Sequence, residues 1–192
     1  MRKVVLWSSV SLDGYIEGPG QDIGWHRVDE ELHQHFNDEL RQMGAFLSGR
    51  VTWELMADFW PTADEDPGAE AVTAEFAAIW RDTPKIVYSR TLDHADWNTT
   101  VVREVVPDEV RALTAGPGGD LALSGAGVAA SFLEHDLVDE FRIYVHPVLV
   151  GGGTPLFPRT STGMPASLRL VGTHRFGNGV VMTRHARAAD RS

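Results

Sequence analysis

Three times along the chain an apolar run stops at a turn of small or basic residues, at 46–52, 86–90 and 121–127. Glycine in such a turn lets the backbone approach an anion closely, arginine is a permanent cation with several donors, and serine or threonine adds a hydroxyl with little bulk. All of these groups bind phosphate. Together the turns predict a site for one phosphorylated dinucleotide.

The third turn formally matches the glycine-rich dinucleotide fingerprint that lies between a strand and a helix. It consists of Ser124, Gly125, Ala126, Gly127 and Val128. The Rossmann form of this motif requires an acidic residue at the end of the following strand, about twenty residues further on. Here the next strand ends at His146, and the acidic residues Asp139 and Glu140 stand at its start. A standard Rossmann site is therefore disfavoured, and a pyrophosphate at the helix N-terminus and a turn that only allows close packing are equally good interpretations.

Gly49, Arg50 and Thr52 form the first turn, where a strand ends and the free amides of a helix begin. For this motif alone, a hydroxyl that caps the helix and a solvated arginine are the more ordinary interpretation. Ser89 and Arg90 follow a second strand in the same way. Two arginines on adjacent strand ends could both reach a ribose phosphate, so the pair favours NADPH over NADH as the cofactor.

Asp13 and Asp29 are the candidate catalytic carboxylates. Helical spacing would place Asp29 on the same side as Leu32 and Phe36, which makes it a better pocket residue than Glu30. A carboxylate beside apolar surface can hold a proton for transfer or pair with a heterocycle. The alternative is structural, because Asp29 is also a good helix N-cap and Asp13 precedes a turn glycine.

The composition argues against several other classes of function. The chain has 192 residues, no cysteine and a formal net charge of −10. The lack of cysteine excludes thiolate metal sites, and His33 and His35 point to different sides of a helix, so no metal site is expected. The negative charge opposes binding to nucleic acid or to an anionic membrane. With no signal-peptide profile and no long apolar span, we expect one cytoplasmic domain over residues 1–192 that binds a small molecule.

Strand and helix patterns alternate along most of the chain. Strands are predicted at 3–9, 45–48, 85–89, 101–105, 121–124, 139–146, 167–176 and 180–187, and helices at 29–43, 52–60, 69–80, 108–115 and 128–135. Gly177, Asn178 and Gly179 between the last two strands are typical of a hairpin turn. This order predicts an α/β fold with a mixed, mainly parallel central sheet and a C-terminal antiparallel hairpin.

Several segments, in this order, resemble the reductase domain of riboflavin-biosynthesis deaminase-reductases, within the wider dihydrofolate reductase-like group. They are residues 11–16, 48–54, 124–127, and 138–140 leading to 147–153. The resemblance implies a three-layer fold in which NADPH lies across the strand ends and passes a hydride to a flat heterocycle. It places Gly49, Arg50, Thr52, Ser89 and Arg90 at the adenosine side, and Gly125, Ala126, Gly127 and Val128 at the pyrophosphate.

The same resemblance suggests which residues face the acceptor. Residues 12–16 would flank the nicotinamide. Trp25, with Asp29 or Glu30 shortly after it, looks like the tryptophan and the pterin-binding acid of dihydrofolate reductases. The residues between these two lack the family's proline, which disfavours folate itself as the substrate. The zinc-dependent deaminase half would need cysteines, so it has no counterpart in this chain. The resemblance also implies a homodimer, paired through the sheet edge and the glycine-rich late segment.

The combined pattern favours an NADPH-dependent reductase of a pyrimidine- or pterin-like ring. The reaction would be similar to that of the 5-amino-6-(5-phosphoribosylamino)uracil reductase of riboflavin biosynthesis. Three alternatives stay open at this point. They are dihydrofolate reductase activity, an NADPH-binding dimeric protein without catalysis, and a flavin or deazaflavin in the same cleft.

Overall fold

Strands and helices alternate through residues 1–157 and 167–188, which are the residues that the structure, a computed structural model, describes. The strands are β1 Val4–Ser11, β2 Tyr15–Glu17, β3 Ala45–Gly49, β4 Lys85–Tyr88, β5 Thr99–Val102, β6 Leu121–Ser124, β7 Glu140–His146, β8 Thr154–Pro155, β9 Leu168–Arg175 and β10 Val181–Arg187. Eight of them form one sheet in the order β5-β4-β3-β6-β1-β7-β10-β9. The short strands β2 and β8 pair separately and antiparallel.

The helices begin at residues that suit helix N-termini. They are α1 Glu30–Leu40, α2 Arg50–Phe59, α3 Ala71–Asp82, α4 Pro107–Ala115 and α5 Ala126–Glu134. Asp29 caps α1 through its carboxylate, and Pro107 stands in the first turn of α4, where its missing amide costs nothing. Gly49 and Gly125 immediately precede α2 and α5. In the described part of the chain, none of the helices has both the length and the apolar character needed to cross a membrane.

Six neighbouring strands of the sheet, from β5 to β7, run parallel. The antiparallel strands β10 and β9 follow, joined by the turn at 177–179. Because parallel strands end at the same side of a sheet, the segments after β4, β3, β6, β1 and β7 all leave it there. We call this side the carboxyl edge. In register, Ser48 lies beside Ser124, and Ser11 lies beside His146.

The sheet carries a hydrophobic layer on each face. Leu47 packs with Phe132 of α5 on one face, and its neighbour Phe46 points to the other face, where Phe76 and Trp80 of α3 pack. Full burial of each such side chain contributes about 1.5–3 kcal/mol to folding. The sheet is therefore held between helices on both sides, and the predicted α/β fold with its mixed, mainly parallel sheet and C-terminal hairpin is confirmed.

Two helices, α2 and α5, begin two residues earlier than the sequence pattern indicated. The first residue of α2 is Arg50 rather than residue 52, and that of α5 is Ala126 rather than residue 128. Gly49 is extended, with φ −85° and ψ 170°, and Gly125 has φ 94° and ψ 127°, so each glycine turns the chain directly from strand into helix. Arg50 and the amides of residues 126–128 consequently stand in first helical turns. The strands β2 and β8 gave no sequence signal, because both are very short and lie in loops rich in glycine and proline.

Candidate functional site

The three turns predicted to bind phosphate, at 46–52, 86–90 and 121–127, lie side by side at the carboxyl edge; we call them the phosphate-type turns. They follow β4, β3 and β6, which are consecutive neighbours in the sheet. The first and third turns approach each other closely, since a Cβ atom built on Gly125 would lie 2.6 Å from Oγ1 of Thr52 and one built on Gly49 would lie 4.0 Å from Cβ of Val128. The fold thus brings together residues that are about 75 positions apart in sequence. Their role in binding a cofactor stays a prediction.

The N-terminus of α5 has the features of an anion site. Gly125 has a φ of 94°, and a side chain there would be strained and would collide with Thr52. As a glycine it offers no side chain to cap the helix, so the first amides of this nine-residue helix have no side-chain acceptor at the cap. Gly127 is exposed, and a Cβ on it would meet no heavy atom within 4 Å. Ala126 and Val128 are buried beneath this surface, so the backbone can be approached from solvent while the helix stays anchored.

The two predicted phosphate arginines differ in their surroundings. Arg50 forms an ion pair with Glu54 on the next turn of α2, with Nη1 2.6 Å from Oε2 and both side chains 44% exposed. Arg90 is exposed and makes no hydrogen bond or ion pair to any residue within 1–157 or 167–188. Ser89 is buried, and its Oγ accepts hydrogen bonds from the amides of Thr91 at 3.2 Å and Leu92 at 3.0 Å. Arg90 is therefore the freer of the two cations, and Ser89 holds the turn that carries it.

Asp29 caps the first helix. Its carboxylate accepts a hydrogen bond of 3.0 Å from the amide of Leu32, and the residue is exposed. The placement of Asp29 on the apolar side by helical spacing is wrong, because α1 begins at Glu30 and Asp29 has extended rather than helical backbone angles. The capping interpretation is confirmed. Catalysis by Asp29 stays a prediction without a supporting contact.

Asp13 ties two loops together. Its carboxylate accepts hydrogen bonds from the hydroxyl of Ser11 at 2.6 Å and from the amides of Val150 at 3.1 Å and Gly151 at 2.8 Å. The Ser11 hydrogen bond has the largest effect and, with the two amides, lowers the pKa of Asp13 to about 2 despite the opposing effect of desolvation. The carboxylate is thus ionised at neutral pH and unsuited to donate a proton. Its evident role is to join the loop after β1 to the loop after β7.

Trp25 lies at the carboxyl edge among histidines. Its ring makes edge contacts with His26, at 4.3 Å between centroids, and with His146, at 5.6 Å. His146 is fully buried at the end of β7, and its Nδ1 accepts a hydrogen bond of 3.0 Å from the amide of Arg27. Burial, assisted by nearby His26, lowers the pKa of His146 to about 4, so the ring is neutral with its proton on Nε2. This contact fixes the segment that carries Trp25.

A cavity of about 500 Å³ opens at the opposite edge of the sheet, near the start of β1 and β6. Arg2, Asp120 and Arg142 are among its lining residues. Arg142 is already paired with Glu39 and Glu140. None of the cofactor or catalytic residues predicted from the sequence lines this cavity, so the carboxyl edge remains the candidate site.

Comparison with known proteins gives the family. The family model of the RibD C-terminal domain matches residues 2–182. The chain belongs to this family. A relative of this RibD C-terminal domain, the uncharacterized protein YyaP of Bacillus subtilis (strain 168), is 34% identical over 181 residues, which cover 94% of this chain and 92% of YyaP.

Solved structures share the RibD C-terminal domain fold. A protein provisionally assigned to riboflavin biosynthesis from Shewanella sp. PV-4 matches with a TM-score of 0.74 and 23% identity, covering 98% of this chain and 99% of that chain. A diaminohydroxyphosphoribosylaminopyrimidine deaminase/5-amino-6-(5-phosphoribosylamino)uracil reductase from Thermotoga maritima matches with a TM-score of 0.65 and 16% identity. That match covers 97% of this chain and 57% of the longer Thermotoga chain. The resemblance to riboflavin-pathway reductases is confirmed at the level of family and fold.

Two residues at the carboxyl edge of this RibD C-terminal domain were not predicted from the sequence. His146 supports the Trp25 segment, and Arg103 contacts the turn of Ser89 and Arg90. A weak signal existed for His146, because a histidine followed by proline ends the strand of alternating polar and apolar residues at 139–146. Arg103 gave no such signal, since its partners are two backbone carbonyls and the carboxylate of Asp93 in another turn.

Proposed function

We propose that this RibD C-terminal domain is an NADPH-dependent reductase that acts on a pyrimidine- or pterin-like heterocycle. The reaction would resemble that of 5-amino-6-(5-phosphoribosylamino)uracil reductase. The observation that carries the proposal is the alignment of three phosphate-type turns on the adjacent strands β4, β3 and β6. Reductases of this family depend in general on nicotinamide dinucleotides, and the Thermotoga neighbour's name includes this uracil reductase.

The residues at the carboxyl edge fit such a cofactor. The amides of Gly125, Ala126, Gly127 and Val128 would hold the pyrophosphate, because Gly125 leaves the helix N-terminus without a side-chain cap and Gly127 has open space above it. Gly49 and Thr52 would line the adenosine side. Arg90, with Arg50, would bind the 2′-phosphate that distinguishes NADPH from NADH. When bound, NADPH supplies the hydride.

The acceptor would lie further along the same edge, where β1 and β7 end. Trp25 offers a flat aromatic surface for a heterocycle, and Asp13 holds the loop of residues 12–16 against the loop after β7. With hydride donor and acceptor fixed in this way, most of the rate gain comes from orientation and from exclusion of water. Asp13 is ionised at neutral pH, so its role is to orient this loop and not to donate the proton that accompanies the hydride.

Turnover assays test the proposal directly. The protein is mixed with NADPH and either 5-amino-6-(5-phosphoribosylamino)uracil or dihydrofolate, and the loss of NADPH absorbance is followed. We expect oxidation with the aminouracil and little with dihydrofolate. Binding of NADPH without turnover of either compound would overturn the proposed reaction.

A non-catalytic NADPH-binding protein is the second candidate function. It is favoured by the engagement of both candidate acids, since Asp29 caps a helix and Asp13 binds two backbone amides. The two candidates differ in an isotope experiment. Transfer of deuterium from 4-deuterated NADPH to any added pyrimidine or pterin supports the reductase, whereas tight binding with no transfer supports the binding protein.

A further inference from the structure

Arg103 places a third arginine at the carboxyl edge. It directly follows β5, so Arg103, Arg90 and Arg50 stand after three neighbouring parallel strands. The guanidinium of Arg103 is directed to the main chain of the adjacent turn. Nη1 donates to the carbonyl of Leu92 at 2.8 Å and to that of Ser89 at 3.3 Å, and Nη2 lies 3.3 Å from Oδ1 of Asp93.

The turn of residues 89–92 is consequently held from two sides. Ser89 Oγ binds the amides of Thr91 and Leu92 from within, and Arg103 binds the carbonyls of Ser89 and Leu92 from outside. The amide of Ser89 also donates to the carbonyl of Val102, which continues the β4–β5 pairing up to the turn. Arg90 lies between these anchor points, and its side chain has no partner within the described ranges. A rigid turn therefore presents an unpaired cation.

We propose that Arg103 is a positioning residue for cofactor choice. It fixes the main chain of the turn from which the Arg90 side chain extends towards the 2′-phosphate of NADPH. Ordering this main chain before the ligand arrives removes part of the entropic cost of binding, and this gain applies only to the ligand that uses the Arg90 cation. The donors of Arg103 are directed at two carbonyls and a carboxylate, so Arg103 acts through Arg90 and does not contact the phosphate. This role rests on the proposed NADPH site.

The test compares the dissociation constants of NADPH and NADH by tryptophan fluorescence. Wild type, Arg90→Ala, Arg103→Ala and the double variant are titrated with both dinucleotides. We expect Arg90→Ala to reduce the preference for NADPH roughly tenfold or more, and Arg103→Ala about threefold or more with NADH binding unchanged. The double variant should show the same preference for NADPH over NADH as Arg90→Ala alone. Arg111→Ala is the matched control, because Arg111 is similarly exposed but pairs with Asp108 on α4.

Two further variants guard against a general loss of structure. Arg103→Lys keeps the charge but loses the planar fork, which binds two carbonyls through Nη1 and Asp93 through Nη2. The preference of this variant for NADPH should therefore stay below that of wild type. Ser89→Ala removes the inner hydrogen bonds and should lower the preference in the same way. Thermal unfolding is measured for each variant.

The outcomes separate this role from the proposed cofactor site. Equal weakening of NADPH and NADH binding in Arg103→Ala would reduce Arg103 to a structural residue. A further loss of preference on adding Arg103→Ala to Arg90→Ala would mean that Arg103 contacts the phosphate itself. Either result overturns the positioning role while the NADPH site stands. A wild-type protein without preference for NADPH would overturn the site itself, and this role with it.

Discussion

In the proposed NADPH site, Glu54 would compete with the 2′-phosphate for Arg50. The two side chains form an exposed (i, i+4) pair on α2, which contributes about 0–1 kcal/mol to stability, so a bound 2′-phosphate must share or displace it. We expect Glu54→Gln to strengthen NADPH binding severalfold and to leave NADH binding unchanged, because it removes a negative charge near the 2′-phosphate. Titration with both dinucleotides checks this. Glu134→Gln, at the far end of α5, is the control, and equal gains in both variants would contradict the placement of the phosphate.

The residues show where sequence patterns stop being informative. The glycines and arginines of the three turns could be found in the sequence, because each residue type has a local reason to stand at a strand end. The role of Asp13 could not be found in the sequence, because its carboxylate binds the amide of Gly151, which lies 138 residues away. Asp29 fitted two local roles, helix cap and pocket acid, and only the observed helix start distinguishes them.

The first turn of α5 offers a matched pair of glycine substitutions. Gly125→Ala forces a side chain into a φ of 94° and against Thr52, so it should destabilise the protein by about 1–3 kcal/mol. Gly127→Ala meets no protein atom and should leave folding unchanged or improve it by up to about 1 kcal/mol. Both should weaken dinucleotide binding, the second because its methyl group enters the space above the helix N-terminus. Urea unfolding and NADPH titration check this. Unchanged NADPH affinity in Gly127→Ala would place the pyrophosphate elsewhere.

The segment that carries Trp25 depends on a neutral histidine. The folded-state pKa of His146, about 4, lies below the ordinary value of 6.5, so the unfolded chain takes up its proton first as the pH falls. The contribution of neutral His146 is complete above pH 6.5 and is lost between pH 6.5 and 4, on the order of 3 kcal/mol. Asn178 donates to the carbonyl of Arg27 at 2.8 Å, so the same segment also contacts the β9–β10 turn.

His146→Asn isolates this effect. The Asn Oδ1 atom can still accept from the amide of Arg27, but the side chain does not titrate. We expect the variant to be less stable than wild type at pH 7 and to lose less stability between pH 6.5 and 4, as measured by urea unfolding. His135→Asn, at an exposed position, is the control. A pH dependence equal to that of wild type would show that His146 is not the group responsible.

The strand-to-helix order was largely readable from the sequence, because buried parallel strands are short apolar runs and helices show apolar spacing of three and four. The starts of α2 and α5 could not be read in this way, since Gly49 ends β3, Gly125 directly follows β6, and each stands at the N-cap position of the next helix. The pairing of β2 with β8 joins segments 137 residues apart through Glu17 and Thr154, and no local pattern reports such a pairing.

At the scale of the whole molecule, the sheet edge formed by β9 is a candidate surface for binding a second copy of this chain. β9 is the edge strand, and it exposes Leu168, Leu170 and Val171 by 40%, 56% and 44%. An exposed apolar edge strand is a template for strand pairing. We propose that β9 of two chains pair to form the homodimer that the family resemblance suggests.

Sedimentation equilibrium tests this assembly. Leu170→Lys should shift the protein from dimer to monomer, because it places a charge within the proposed strand pairing. Leu55→Lys on α2 alters a side chain of similar exposure, 50%, and should leave the dimer intact. A monomeric wild-type protein, or a dimer that survives Leu170→Lys and dissociates with Leu55→Lys, would contradict the pairing through β9.

The position of β1 has a consequence for how the protein is made. β1 is the first strand of the chain, yet it lies in the interior of the sheet between β6 and β7, whose paired residues are 121–123 and 140–146. During translation the backbone groups along both edges of β1 therefore stay unpaired until most of the chain has been made, which leaves β1 open to misassociation. Ribosome-bound chains ending before residue 121 should be digested rapidly by protease, and those with β7 fully emerged should resist it. We therefore expect protease resistance to arise when β7, the last strand beside β1, has emerged, rather than when β6 has.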